Sequence, residues 1–308
     1  QVEELTVAAS ADIEAFYASR PPEPCTDDAV LVLSVDGKGV VMRPEDLRKA
    51  TAKAALAKGR NTYRTRLAPG EKPGRKRMAT LGAVYDAEPV PRRPHHVIHL
   101  TATATNGNGN GNGNGNGNGN GNGNGNGEDA APRRRTGPKA KNKWLTGSIA
   151  QTGGNVIAAV FDQAAARDPE DRRTWVMLVD GARHQLDLLH AEAERRDVRL
   201  HILIDFIHVV EYVWKAAWCF YSSGQAEAER WVATHAVKIL AGKSGEVVAD
   251  LQRQAAEADL PADQRKGVDA CIGYLTAKQD HLGYHTALEQ RWPIATGIIR
   301  GGVSSPDR

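Results

Sequence analysis

Residues 29–37, "AVLVLSVDG", form an almost unbroken apolar run that stops at Asp36-Gly37, and residues 175–181, "WVMLVDG", repeat the ending. A run of this length without polar alternation predicts a strand covered on both faces. A third, "VRLHILIDF" (198–206), reaches Asp205. If these strands lie parallel and adjacent, Asp36, Asp180 and Asp205 meet at one sheet edge, where ligands of α/β sheets sit. Each aspartate also has a plainer reading. Asp-Gly is a common turn pair, so "VDGKGVV" reads equally as a tight hairpin, with "GVVMR" (39–43) as a second strand. Asp180 precedes a predicted helix and can cap it. Asp205 and His208 have a DxxH spacing that suits a metal. His208, however, opens an apolar helix and reads as a hydrogen-bonded structural histidine. Trp214, Trp218 and Phe220 read as helical core.

Working outward, "RMATLGAVYDAEPV" (77–90) supplies another strand, and the Pro-initiated, Ala-rich "PEDLRKATAKAALAKGR" (44–60) predicts a short helix before it. Asn106 to Gly127 is eleven Asn-Gly pairs, which offer no apolar surface to bury and predict a flexible spacer. Beyond it, Val156, Ile157, Val160, Phe161 and Ala164 recur at helical spacing, and "ARHQLDLLHAEAERRD" (182–197) predicts a second helix. From His208 to about Leu282 the pattern is helical throughout. The predicted order is three strands, helix, strand, helix, strand, then helices: an α/β protein with an antiparallel start and a parallel finish.

The net charge of +3 conceals a separation. Residues 58–77 carry Lys58, Arg60, Arg64, Arg66, Lys72, Arg75, Lys76 and Arg77 against one acid. Residues 133–143 carry Arg133, Arg134, Arg135, Lys139, Lys141 and Lys143 against none. Taking these +7 and +6 segments from +3 leaves −10 on the remainder. Two basic segments on an acidic body suit a polyanion such as double-stranded DNA, while the plainer reading is two solvated loops. The three cysteines, Cys25, Cys219 and Cys271, are odd in number and far apart, which argues against a disulfide framework and for a cytoplasmic protein. No apolar run reaches membrane-spanning length. The first twenty residues have no initiator Met and no signal-peptide pattern, and read as the interior of a longer protein.

Five segments together carry a resemblance: "VLSVDGKGVVMRPEDLR" (32–48), "GRKRMATLGAVYDAEPVPR" (74–92), "WVMLVDGARHQLDLL" (175–189), "ILIDFIHVVEYVWKAAWCF" (202–220) and "RWPIATGII" (291–299). They resemble a DDE-type insertion-sequence transposase of the ISKra-type group over most of residues 28–299. The resemblance implies a ribonuclease-H-like mixed sheet flanked by helices, interrupted by the Asn-Gly repeat, with a helical insertion at about 208–285. Residues 1–27 are then an N-terminal remnant or linker. It also implies Mg²⁺ or Mn²⁺, cutting and joining of DNA ends, a homo-oligomer when complete, and a bacterial nucleoid setting. Asp36 matches the first catalytic carboxylate and Asp180 the second, with Asp205 as the alternative.

The family pattern then requires a glutamate shortly after "IATGII", where this chain has Arg300 followed by "GGVSSPDR". A permanently charged guanidinium repels a cation instead of ligating it. Codons chosen for "RGGVSSPDR" and read one nucleotide later give "EGACRHLI", with Glu first, so residues 300–308 read as an out-of-frame tail. The expectation is a transposase core that is catalytically defective as written. Its rival is a non-catalytic DNA-binding remnant.

Overall fold

The computed structural model describes residues 12–20, 23–42, 49, 53, 76–98 and 137–296. Most of the predicted helix at 44–60, most of the first basic segment and the Asn-Gly repeat lie outside them. So do Arg133, Arg134, Arg135 and Arg300. The chain divides into two compact units. One comprises Gln1–Val90, Pro138–Asp205 and Trp292–Thr296; the other comprises Pro91–Gly137, Phe206–Arg291 and Gly297–Arg308.

In the first unit, helix α1 (Ile13–Ser19) precedes five strands: β1 (Val30–Val41), β2 (Lys76–Ala87), β3 (Ala140–Ser148), β4 (Trp175–Val179) and β5 (Leu200–Ile204). Their order across the sheet is β3-β2-β1-β4-β5. β1, β2 and β3 pair antiparallel; β1, β4 and β5 pair parallel. Every residue of β4 is buried, as its unalternating sequence requires.

The strands are not all the ones expected from sequence. β1 runs without a break through Asp36-Gly37-Lys38-Gly39 and pairs with β2 from Val30↔Ala87 to Val41↔Lys76. The expected hairpin is therefore absent, and "GVVMR" is the continuation of β1. Gly37 is extended rather than left-handed, so nothing turns the chain there; Gly181, in the other Val-Asp-Gly, has φ 86° and does turn it. The third antiparallel strand is β3, whose "AKNKWLTGS" hides its period behind lysines and a bulge. Two residues of β3, Asn142 and Lys143, oppose Tyr85 alone, and Asn142 takes φ 49°.

Helix α3 (Gly153–Arg167; α2, Pro94–Val97, belongs to the second unit) buries Val156, Ile157, Val160, Phe161 and Ala164, the five residues its spacing singles out. Thr152 caps it by accepting from the Asn155 amide. It seats on β2 over Gly82, where any Cβ would stand 2.4 Å from Val160 Cγ2. Helix α4 (Arg183–Arg196) ties to α3 through Arg196, which pairs with Asp162 at 2.7 Å and lies over the Phe161 ring.

The second unit is helical. α2 (Pro94–Val97) is followed by α5 (Phe206–Ala217), α6 (Ala226–Leu240), α7 (Ser244–Glu257), α8 (Lys266–Ala277) and the short α9 (Tyr284–Glu289). Its core gathers Phe206, Val209, Trp214, Val232, Ile239, Leu251, Cys271, Leu275 and Tyr284. Trp214 is buried and stacks on Trp218 with ring centroids 4.9 Å apart, as core rather than as a surface platform.

Candidate acidic site

Strand register decides where the aspartates fall. Val35 pairs with Val179, and Val179 with Ile204, so the next residue on each of three adjacent strands is an aspartate. The Asp205 amide continues the parallel ladder by donating to Val179 O at 2.7 Å. Asp36, Asp180 and Asp205 thus form one row across β1, β4 and β5, with neighbouring backbones about 5 Å apart. Alternation places the row on the sheet face opposite α3, because Gly82, paired with Val35, is the position that meets α3.

The three members differ in what they do. Asp36 is exposed, inside a continuous strand, opposite Leu81. Asp180 is half-buried just past β4, and its Oδ1 accepts from the Ala182 amide at 2.9 Å, an Asx-type turn stabilised by the left-handed Gly181. It shapes the turn into α4 without being the cap residue, which is Ala182. Asp205 is 4% exposed, and its Oδ2 accepts from both the amide and the hydroxyl of Thr296. That pair pins the returning segment Trp292–Thr296 to the sheet, and the Trp292 ring rests 4.6 Å from His201. On the same face, burial pushes the Tyr85 phenol well above its ordinary range, and the Asp205 charge adds to the shift.

Among the described residues no group of three or more His, Cys, Asp or Glu stands together as a metal site. Asp36 and Asp180 are two hard oxygen donors at adjacent register positions. His208 lies in the other unit, half-exposed, with Nδ1 3.3 Å from Glu211 Oε2. It is hydrogen-bonded, as expected, but at the surface.

Of the expected DNA-contacting residues, Lys139 and Lys143 are exposed. Lys141 is committed: its Nζ donates to Glu88 at 3.0 Å and to Pro24 O at 3.1 Å, and Glu88 also accepts from Thr26. Lys76 and Arg77 belong to β2. No helix among the described residues is long and apolar enough to cross a membrane.

Sequence reasoning missed a second charged centre. Asp86, 5% exposed on β2, accepts from Arg173 Nη2 and from Asn142 Nδ2, both at 2.7 Å, and Arg167 Nη1 lies 3.8 Å away. These residues are between 56 and 87 positions from Asp86 in sequence, so no motif spacing could have announced them. Compared with known proteins, the chain matches no protein-family model, no curated protein and no solved structure.

Proposed function

We propose that the sheet unit is the catalytic core of a DDE-type transposase of the ISKra-type group, built on a ribonuclease-H-like arrangement, with Asp36 and Asp180 as its first two carboxylates. The observation that carries this reading is the register. An antiparallel β3-β2-β1 followed by parallel β4 and β5 sets the two aspartates of the repeated Val-Asp-Gly side by side at one edge. Asp180 is preferred to Asp205 as the second ligand because Asp205 is buried and engaged with Thr296.

Asp36 and Asp180 would hold Mg²⁺ or Mn²⁺, which when bound activates a water or a 3′-hydroxyl and stabilises the leaving oxygen of a phosphodiester. The chain's own part is to fix one carboxylate within the rigid strand β1 and the other just past the end of β4. The Asp205–Thr296 link returns the chain to that edge, and in the family pattern a third acid follows shortly after it in sequence. An acid would complete the set; at position 300 this chain has arginine, which cannot ligate a cation. Double-stranded DNA is the partner, and a nucleoid setting follows from that.

The test is Mn²⁺ binding, followed by electron paramagnetic resonance, in the full chain and in Arg300→Glu, each with and without Asp36→Asn and Asp180→Asn. Weak binding that Arg300→Glu strengthens and either aspartate variant removes is the expected result. Mn²⁺ affinity indifferent to both aspartates would refute the site. Arg300 and the lack of a three-acid group among the described residues favour the second reading, a DNA-binding remnant. DNA affinity that is independent of Mg²⁺ and falls steeply with salt would support that one.

A further inference from the structure

On the other face of the sheet, toward the opposite strand ends, a cavity of about 810 Å³ opens between α1, the bulged edge strand β3 and the C-terminal half of α3. Its size falls within the ~300–1,000 Å³ usual for small-molecule sites. Asp86, at its base, pairs with Leu31, five residues along β1 from Asp36, so the cavity is separate from the acidic row.

Four cationic side chains line it: Arg20, Lys143, Arg167 and Arg173. One buried carboxylate, Asp86, stands against them, and it is already satisfied by Arg173 and Asn142. Arg167 is the informative group. Its side chain is 18% exposed, yet Nη1 is buried without a hydrogen-bond partner, and the nearest carboxylate oxygen is 3.8 Å away. Nη1 is held to Asp86 by charge alone, without a hydrogen bond, so this guanidinium has not met its full demand for negative partners. Burial lowers the Arg167 pKa against the pull of Asp86, the direction expected for a cation short of negative partners.

Two aromatic side chains share the remaining wall with apolar and small polar residues. Tyr17 and Trp144 line the cavity with ring centroids 6.4 Å apart and tilted at 49°. The Tyr17 hydroxyl, accepting from the Leu145 amide, fixes α1 to β3. Adjacent aromatic faces beside a guanidinium cluster suit a planar base joined to a phosphate, since base stacking is worth about 1–3 kcal/mol and is tolerant of base identity.

We propose that this cavity binds a phosphorylated nucleoside, its phosphate on Arg167 and the Lys143 rim and its base against Trp144 and Tyr17. A free nucleotide and the 5′-phosphorylated end of a single strand share this chemistry. The juxtaposition of an arginine whose buried Nη1 lacks a hydrogen bond, a basic rim and two aromatics around one cavity carries the assignment, which does not depend on the acidic row.

Isothermal titration of the full chain with adenosine 5′-monophosphate, adenosine, inorganic phosphate, and a hexanucleotide with or without a 5′-phosphate tests it. Adenosine monophosphate should bind more tightly than adenosine or phosphate alone. Arg167→Gln should weaken it about tenfold or more and Lys143→Gln a few-fold, in line with one charged hydrogen bond and one exposed contact. Lys143 is exposed, so its variant keeps the test open if Arg167→Gln fails to fold. Tighter binding of the phosphorylated oligonucleotide than of the mononucleotide identifies a strand end; the reverse identifies a free nucleotide. Adenosine binding as tightly as its monophosphate, affinities unmoved by both substitutions, or no heat with any nucleotide overturns the proposal.

Discussion

Two glycines of helix α8 should respond to the same substitution with opposite signs. A Cβ on Gly267 would lie 2.0 Å from the backbone oxygen of Lys215, 2.8 Å from its carbonyl carbon and 2.9 Å from Cys219 Sγ; a Cβ on Gly273 meets nothing within 4 Å. Gly267 is where α8 crosses the end of α5 in backbone contact, and a carbonyl inside a helix cannot swing aside. Alanine in a helix gains about 0.5–1 kcal/mol over glycine. At Gly273 that gain is all there is, so Gly273→Ala should raise stability by up to about 1 kcal/mol. At Gly267 the overpacking cost of about 1–3 kcal/mol, or more against rigid backbone, exceeds it. Gly267→Ala should be destabilising by about 1–2 kcal/mol. The separation of about 2–3 kcal/mol corresponds to roughly 10–20 °C in Tm for a unit of this size. Melting of the helical signal by circular dichroism reads it. The Tyr212–Tyr274 stack, 3.9 Å between centroids and bridging the same two helices, should loosen with Gly267→Ala and change the near-ultraviolet signal. Gly267→Ala melting at or above the parent would refute the crossing.

Three further outcomes follow from buried polar groups. His235 donates from Nδ1 to Trp231 O at 2.8 Å, and its buried Nε2 has no partner; burial first, then Lys238, lower its pKa below 6.5. The unfolded chain therefore binds the extra proton, so stability is complete above pH 6.5 and declines as pH falls below it. Urea titrations at several pH values should show that slope, and His235→Leu should flatten it. Asp168 accepts from Trp175 Nε1 and from the amides of Arg172 and Arg173 at 2.9–3.0 Å; burial raises its pKa, but these donors and the Arg173 charge outweigh that and leave it lowered. Asp168→Ala should cost about 2–4 kcal/mol by urea unfolding, and an unchanged midpoint would exclude the network. Cys271, fully buried with its thiol pushed up to about 12, should resist iodoacetamide long after half-buried Cys219 has reacted, as mass spectrometry of native protein would show.

The sequence by itself determined the elements whose pattern is dictated by burial. The five apolar positions of α3, the unalternating runs of β4 and β5, and the long helical stretch after Asp205 are all where periodicity puts them, because a face that must be buried writes its period into the chain. It also marked Asp36 and Asp180 by the repeated Val-Asp-Gly, without distinguishing their uses. Only the tertiary structure decided that Asp36 lies inside a strand twelve residues long while Gly181 turns the chain after Asp180, since Gly37 keeps extended φ only because β2 pairs along the whole length. β3 escaped detection because an edge strand is half solvated and its bulge breaks the alternation. Asp205 emerged as a tether because Thr296 arrives from 91 residues away. The cavity around Arg167 likewise has no linear signature, for its walls come from four separate segments brought together by sheet pairing and helix packing.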